Sequence, residues 1–213
     1  MADCTSLISG NFQRAELCSY NPKQGITKAW LCNLSDILKG DDAEKTTTLQ
    51  AQGTTVRSLF LKDGKKLYQL EGQEANYQAT HAFVQTTYFK ALTHSFIYRI
   101  PYNGETQIAQ LQNLLLGAKV VAITKHIDRG IYGDTEFRVW GYEAGLELNA
   151  TDFDSNANNG TIGFTVASKA GQEESTPAKL LIVRTAGTDD TDGTADDVYT
   201  TEATITALQA DLV

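Results

Sequence analysis

Three histidines are the side chains in this sequence best suited to acid–base chemistry. His81, His94 and His126 are the full set, and none lies in a nucleophile-elbow setting or in an HExxH zinc motif. His94, near the start of the predicted strand 93–96, is the strongest candidate for catalysis. The ordinary outcome for a strand histidine, however, is a hydrogen bond to neighbouring backbone. The sequence therefore assigns no catalytic residue, and we do not expect an enzyme.

An aspartate-rich segment at 188–197 could serve a different purpose, which is to wrap a calcium ion. Its weak candidate ligands are Asp190, Asp192 and Asp196. The match to an EF-hand loop is incomplete. With Gly193 at position 6, positions 1 and 12 fall on Thr188 and Tyr199, where Asp and Glu are needed. A solvated turn between two strands is therefore the favoured interpretation, and no metal or cofactor is assigned.

Other site classes find no support in the motifs of the chain. The glycines at 141–145 lack the spacing of a phosphate-binding loop, whether GxGxxG or GxxxxGK[ST]. Cys4, Cys18 and Cys32 are odd in number and widely spaced, which argues against a disulfide framework and against a closed zinc site. Buried or idle thiols are the prediction for all three.

The formal net charge of −8 is unevenly distributed along the chain. Residues 1–133 contain 14 Lys or Arg and 11 Asp or Glu, a net of +3, whereas residues 134–213 contain 4 and 15, a net of −11. An acidic surface repels phosphate, so sequence-specific DNA binding is not expected. Acidic side chains lining a channel would let DNA slide without sticking. A solvated acidic face is the simpler interpretation of the same charges.

Composition predicts a soluble, folded chain. With 41% hydrophobic and 21% charged residues, the sequence is neither disordered nor fibrous. No stretch approaches the roughly 18 apolar residues that a membrane span needs, so no membrane partner is expected. The first ten residues lack the features of a secretory signal, which predicts cytoplasmic synthesis. We interpret residues 1–213 as a single domain.

Strand periodicity dominates the elements that must position these residues. Alternating apolar and polar residues recur at 26–34, 55–61, 66–70, 94–100, 137–142, 146–150, 162–167 and 180–185. The Asp-Gly pair at 63–64 is a hairpin signal, and residues 43–70 are interpreted as an extended loop or hairpin. Residues 120–123 are continuously apolar, which predicts a strand in the centre of a sheet.

One segment follows helical spacing instead. Between Gly104 and Gly117 the apolar positions are Ile108, Leu111, Leu114 and Leu115. This pattern predicts one amphipathic helix of about three turns at 104–117, covering an open face of a sheet. Strands before and after this helix indicate a mainly β fold, an antiparallel sandwich or barrel. Residues 1–17 are interpreted as an N-terminal arm.

Several short motifs occur one after another along the chain, and their order is informative. They are CSYNPKQGI at 18–26, WLCNLSDI at 30–37, THSF at 93–96, AKVVAI at 118–123, FRVWGYEAGLE at 137–147 and GQEESTPA at 171–178. In this order they resemble tail-tube-like structural proteins of tailed bacteriophages that infect Bacteroidetes, of the crAss-like type. The resemblance covers most of residues 15–185.

This resemblance implies a tail-tube-like domain whose sheets pack edge to edge around a channel. It implies a homo-oligomeric ring of six or twelve copies, placed in the tail tube, the neck or the head-tail connector and touching neighbouring virion proteins. Genomic DNA would pass through the ring during ejection without sequence-specific binding. The expected location is the virion, after synthesis in the cytoplasm of the host bacterium. The segment 43–70 would reach the next ring or subunit.

Two features bear on this expectation. The chain has only three prolines, Pro22, Pro101 and Pro177, so its strand edges are left open to pairing with a neighbour.

A fibre or adhesin module that binds a surface or a carbohydrate would also be an acidic β protein. That alternative requires exposed aromatic side chains clustered on one loop face, for which nine tyrosines supply material.

Overall fold

The computed structural model is mainly β, with 52% strand, and its described residues form two main sheets and one complete α-helix. It describes residues 24–39, 48–49, 53–72, 76–85, 90–100, 104–128, 135–154, 161–182, 184–185, 198–199, 205–206 and 209. The mainly β class predicted from strand periodicity is confirmed. The N-terminal arm predicted at 1–17 lies outside the described residues.

Two sheets contain most of the strands. The seven-stranded sheet has the spatial order β2 (Thr48–Leu49), β3 (Thr55–Ser58), β11 (Lys179–Leu181), β8 (Phe137–Trp140), β7 (Val120–His126), β1 (Ile26–Asn33) and β4 (Tyr68–Leu70). The four-stranded sheet has the order β5 (Tyr77–Gln85), β6 (Lys90–Ile100), β10 (Ile162–Ala167) and β9 (Glu147–Phe153). Of these pairings, β3 with β11 is parallel and the others are antiparallel.

The two sheets pack face to face through a first core. Phe96 and Tyr98 of β6 and Phe164 of β10 meet Ala29 of β1 and Ala122 of β7 there. Small alanines on the seven-stranded sheet accept the large aromatic rings of the four-stranded sheet, which lets the two sheets approach closely. This cluster forms the centre of a β-sandwich.

A second core lies on the opposite face of the seven-stranded sheet. Val121 and Ile123 point into it from β7, while their neighbours in β7 point into the first core. The covering layer includes connecting segments that supply Ile37, Leu59 and Leu67, and the helical residue Ile205, each no more than 4% exposed. Strand β7 is therefore buried on both faces, which confirms the central placement predicted from residues 120–123.

Within the segment 43–70, predicted as an extended loop or hairpin, the consecutive strands β2 and β3 pair antiparallel and so form a hairpin. The pairing suggested by the Asp-Gly signal at 63–64 is not seen, because β3 and β4 do not pair with each other. The turn itself forms, because Lys65 N–H donates to Lys62 O at 3.0 Å and Gly64 has φ +72°. The strands on either side nevertheless part, with β3 pairing to β11 and β4 pairing to β1. Burial of Leu59 and Leu67 in the second core separates them. Residues 43–47 and 50–52 lie outside the described ranges.

Helix α1, Glu105–Leu115, confirms the helix predicted at 104–117. Only two of its four apolar side chains pack against the core as expected. Leu114 is buried and Leu111 packs against the first core. Ile108 is 51% exposed and Leu115 66% exposed, although both were expected to cover the sheet. The helix contacts β9, so it flanks one edge of the four-stranded sheet and does not span its face.

A separate two-stranded ladder joins β12 (Arg184–Thr185) to β13 (Val198–Tyr199). Its antiparallel register pairs Arg184 with Tyr199 and Thr185 with Val198. The aspartate-rich segment 188–197 therefore connects two paired strands, as predicted. The segment itself, with the calcium candidates Asp190, Asp192 and Asp196, lies outside the described residues.

Candidate functional site

Two of the connections that carry the chain between the sheets lie close together, and a set of polar side chains lies between them. The first crossover, 141–146, leads from β8 to β9, and the second, 168–178, leads from β10 to β11. We call the polar set the crossover cluster, and its members are His94, Glu143, Glu174, Thr176 and Lys179. His94, Glu174 and Lys179 are each no more than 2% exposed.

Glycines determine the shape of the first crossover. Gly141 has φ +71° and Gly145 has φ +84°, and Gly145 N–H donates to Gly141 O at 3.0 Å. A Cβ at Gly141 would lie 2.5 Å from Cγ of Leu146. Leu146 is fully buried and exchanges two backbone hydrogen bonds with Val120, at 2.8 and 2.9 Å. A larger residue at 141 would therefore displace a core side chain.

The Glu174 carboxylate binds this turn through its backbone. It accepts the N–H of Glu143 at 2.9 Å and the N–H of Ala144 at 3.0 Å. Its own backbone exchanges hydrogen bonds with Leu92 of β6, at 2.9 and 3.0 Å. Burial raises the pKa of Glu174, and the two N–H donors partly offset that effect. Glu174 thus links the second crossover to both the first crossover and the four-stranded sheet.

Lys179 forms an ion pair with Glu143 beside this contact. Its ammonium donates to Oε1 of Glu143 at 3.0 Å, to Oγ1 of Thr176 at 2.8 Å and to the Gly53 carbonyl at 2.6 Å, so its three donors are used. Glu143 also accepts the N–H and the hydroxyl of Ser175, at 2.9 and 2.8 Å. Burial opposes its ionisation, but the hydrogen bonds from Ser175 and Lys179 outweigh burial and lower the pKa of Glu143.

His94 bridges the two crossovers with its ring. Gly141 N–H donates to Nδ1 at 3.2 Å, so Nδ1 carries no proton. Nε2 therefore carries the hydrogen and donates to the Thr176 carbonyl at 3.1 Å. Burial lowers the pKa of His94 to about 4, which keeps the ring neutral at pH 7. The interpretation of His94 as a strand histidine bonded to backbone is confirmed.

His94 and His81 lie beside the Trp140 ring, and His126 is connected to that ring through the Thr124 hydroxyl. The sequence did not predict this arrangement. The Trp140 ring packs edge-on against His94 at 5.5 Å between centroids and lies 6.4 Å from His81. Its Nε1–H donates to Oγ1 of Thr124 at 2.8 Å, and that hydroxyl lies 3.0 Å from Nε2 of His126. The positions 81, 94 and 126 share no periodicity that would signal this proximity.

The chemistry of the crossover cluster indicates a structural role, in which its polar groups join the two crossovers. Both ring nitrogens of His94, both carboxylates and the Lys179 ammonium already have protein partners. A buried polar network whose members are all satisfied specifies one arrangement of the groups it joins. Within the described ranges, no group of three or more His, Cys, Asp or Glu could hold a metal ion.

The two edges of the four-stranded sheet form a second candidate site. In the described part of the chain β5 pairs with β6 alone and β9 with β10 alone, so each presents unpaired backbone groups. Strand β5 contains neither proline nor Lys, Arg, Asp or Glu, and its Phe83 is 62% exposed. Phe153 on β9 is 63% exposed, and α1 adds the exposed side chains of Ile108 and Leu115 beside that edge, followed directly by the exposed Leu116.

Cys32 matches the thiol prediction, because it is 1% exposed within the second core. Burial, reinforced by the charge of Asp36, raises its pKa to about 12, so the unreactive thiol form persists at neutral pH. Cys4 and Cys18 lie outside the described residues.

The described helix is too short and too polar to cross a membrane. In comparisons with known proteins, the chain matches no family model, no curated protein and no solved structure.

Proposed function

We propose that this protein is a structural subunit of a bacteriophage virion that assembles into a ring of six or twelve copies, in the tail or neck, around the DNA channel. The order of short motifs described above supports the phage assignment. The observation that carries the ring is the pair of free edges on the four-stranded sheet. An exposed, uncharged edge strand such as β5 is a template for pairing with another chain.

Strand direction makes the two edges complementary. Each neighbouring pair in the order β5, β6, β10, β9 is antiparallel, so β5 and β9 run in opposite directions. When β5 of one copy is set beside β9 of a second copy in the same orientation, the new pair is also antiparallel. The contact uses a different surface on each copy, and a contact of this kind generates a ring when its repeated rotation closes.

The exposed apolar side chains lie where this contact would bury them. Tyr77 faces the first core, and side chains six residues apart on a strand share a face, so Phe83 points to that side as well. Helix α1 covers the same side near β9, because Leu114 packs in the first core. Joining the edges would bring Phe83 of one copy towards Ile108 and Leu115 of the next.

The opposite face of the four-stranded sheet suits a channel lining. Its centre carries Thr80, Ser95 and Thr165, which are small and hydroxylated. Arg99 and Asp152 lie on this face and form an ion pair at 2.9 Å, so their charges cancel locally. A surface of this kind offers no cluster of positive charge to retain phosphate, and DNA could slide past it.

The fibre or adhesin alternative has less support from the exposed aromatic residues. Tyr68, Phe83 and Phe153 are 53%, 62% and 63% exposed, and each lies on a different strand. Among the described residues they do not gather on one loop face, which is the arrangement that a carbohydrate platform requires.

Directed disulfide formation tests the ring. In a background with Cys4 and Cys18 changed to serine, Thr80→Cys on β5 and Ala150→Cys on β9 are introduced singly and together. Mild oxidation of the double variant should give a ladder of linked subunits, whereas neither single variant should. Particle mass by light scattering and negative-stain images should show rings. A monomer at millimolar concentration, with no ladder in any salt, would refute the proposal.

A further inference from the structure

We infer that His94 is an acid-sensitive clasp within the crossover cluster, because its neutral ring bonds to both crossovers and uptake of a proton breaks its bond to the first. The inference concerns the fold itself and does not depend on ring assembly. Its basis is the position of one imidazole that bonds to both crossovers, beside the direct contacts that Glu174, Ser175 and Lys179 make with the first crossover. The cluster lies at one end of the sandwich, where the chain passes twice between sheets.

Protonation acts directly on the contact with the first crossover. Nδ1 of neutral His94 accepts the Gly141 N–H, and an imidazolium has a hydrogen on both nitrogens. Two N–H groups would then face each other at a heavy-atom distance of 3.2 Å, so the hydrogen bond is replaced by repulsion. The bond from Nε2 to the Thr176 carbonyl can persist, so His94 would stay with the second crossover and lose the first.

The surrounding charges do not supply a partner for a positive His94. The titratable groups around the cluster are His81 of β5, Glu143 of the first crossover, Glu174 and Lys179 of the second crossover and its following strand, and Lys39 beside Tyr142. Glu143 is engaged by Lys179 at 3.0 Å, and Glu174 by two backbone N–H groups. Lys179 and His81 lower the pKa of His94 and so disfavour a positive charge on its ring.

The pH range in which the clasp opens follows from the lowered pKa of His94. Its pKa is about 4 in the closed state, with burial as the main cause, against an ordinary value of 6.5 for an exposed imidazole. A depressed histidine pKa means that the closed clasp is fully stable above pH 6.5 and loses stability as pH falls towards 4. Glu174, whose pKa is raised, has the opposite sign and offsets part of this loss only in the range where a carboxyl titrates.

Hydrogen exchange of the intact protein tests the clasp. The reporter amide is that of Gly141, which donates to His94. After correction for intrinsic exchange rates, its protection should fall on the order of a hundredfold between pH 7.5 and 4.5. The amides of Glu143 and Ala144, which donate to Glu174, should lose less protection over the same range. The amides of β6 at Phe96 and Tyr98 should keep more of their protection over the same range.

Two variants distinguish the effect of protonating His94 from the effect of a neighbouring histidine. His94→Asn retains a side-chain acceptor but cannot be protonated, so protection of the first crossover should no longer fall between pH 7.5 and 4.5. His81→Asn is the matched control, because His81 lies 6.4 Å from His94 and makes no bond to either crossover. It should keep the pH dependence of the unmodified protein.

The unmodified protein alone gives a second measurement. An NMR titration of the His94 ring should have its midpoint below pH 5, and the Gly141 amide signal should change with the same midpoint. Unchanged protection of Gly141 at pH 4.5, or a Gly141 signal that ignores the His94 titration, would overturn the inference. Retained pH dependence in a folded His94→Asn variant would do the same.

Discussion

Trp140 and Thr124 are joined by a buried hydrogen bond of 2.8 Å, from the indole Nε1–H to the threonine hydroxyl. The hydroxyl is itself held, since it lies 3.0 Å from Nε2 of His126. Thr124 is fully buried, and Trp140 is 3% exposed. A single threonine on β7 thereby satisfies the polar end of the indole ring and connects it to His126.

Thr124→Val should destabilise the protein although it preserves side-chain volume. The indole N–H would lose its acceptor inside the core, at a cost of about 1 to 3 kcal/mol in the free energy of unfolding. Chemical denaturation at pH 7.5 measures this loss. Thr165→Val on β10 is the control, because its side chain is only half-buried and we expect a change within about 0.5 kcal/mol. Equal effects at both positions would contradict the importance assigned to the Trp140 contact.

Glu174→Gln should weaken the link between the crossovers. A glutamine amide presents an NH₂ group to the N–H donors of Glu143 or Ala144, so at least one hydrogen bond to a buried carboxylate is lost. We expect a loss of about 2 to 4 kcal/mol in unfolding free energy. Glu173→Gln, one residue away, removes a charge of the same sign at an exposed contact with Gly171 and should change stability little. A Glu174→Gln variant as stable as Glu173→Gln would refute the role of the carboxylate.

Gly141→Ala should be far more damaging than Gly171→Ala. Both glycines have positive φ, +71° and +83°, so both variants carry the strain of a left-handed alanine, about 1 kcal/mol. Only at 141 would the new Cβ meet Leu146, at 2.5 Å, whereas nothing lies within 4 Å at 171. We expect a further loss of about 1 to 3 kcal/mol at 141 from overpacking. Thermal denaturation of the two variants side by side measures the difference, and equal midpoints would contradict the packing argument.

Phe83→Asp should abolish assembly without unfolding the subunit. The side chain is 62% exposed in one copy, so a charge there costs the isolated fold little, but it would be buried in the proposed contact with the neighbouring helix. Light scattering should show a shift from rings to monomers, while the circular dichroism spectrum is unchanged. Tyr68→Asp, at an exposed aromatic on the other sheet, should leave the rings intact. Rings that survive Phe83→Asp would place the contact elsewhere.

The sequence predicted the elements whose signal is local. Continuous apolar residues at 120–123 indicated a doubly buried strand, and helical spacing located α1. The pairing around 43–70 could not be predicted, because the Asp-Gly turn is a local signal while the partners of β3 and β4 are chosen by the distant second core.

The crossover cluster could not be predicted from the sequence either. His94 and Glu174 are separated by 80 residues, and neither belongs to a recognised motif. Gly141 and Gly145 offered a partial clue, because paired glycines next to a strand often mark a tight turn that needs positive φ. Nothing in their neighbourhood indicates which carboxylate would bind that turn. Contacts of this kind arise only once both crossovers reach the same end of the sandwich.

The burial of Cys32 gives the protein an internal reporter of its own integrity. Its thiol is 1% exposed beneath the segments that carry Ile37, Leu59 and Leu67, and burial holds it in the unreactive form. A thiol reagent can modify it only when that covering layer lifts from the seven-stranded sheet. The rate of thiol modification therefore reports how often the second core opens, independently of events at the crossovers or the sheet edges.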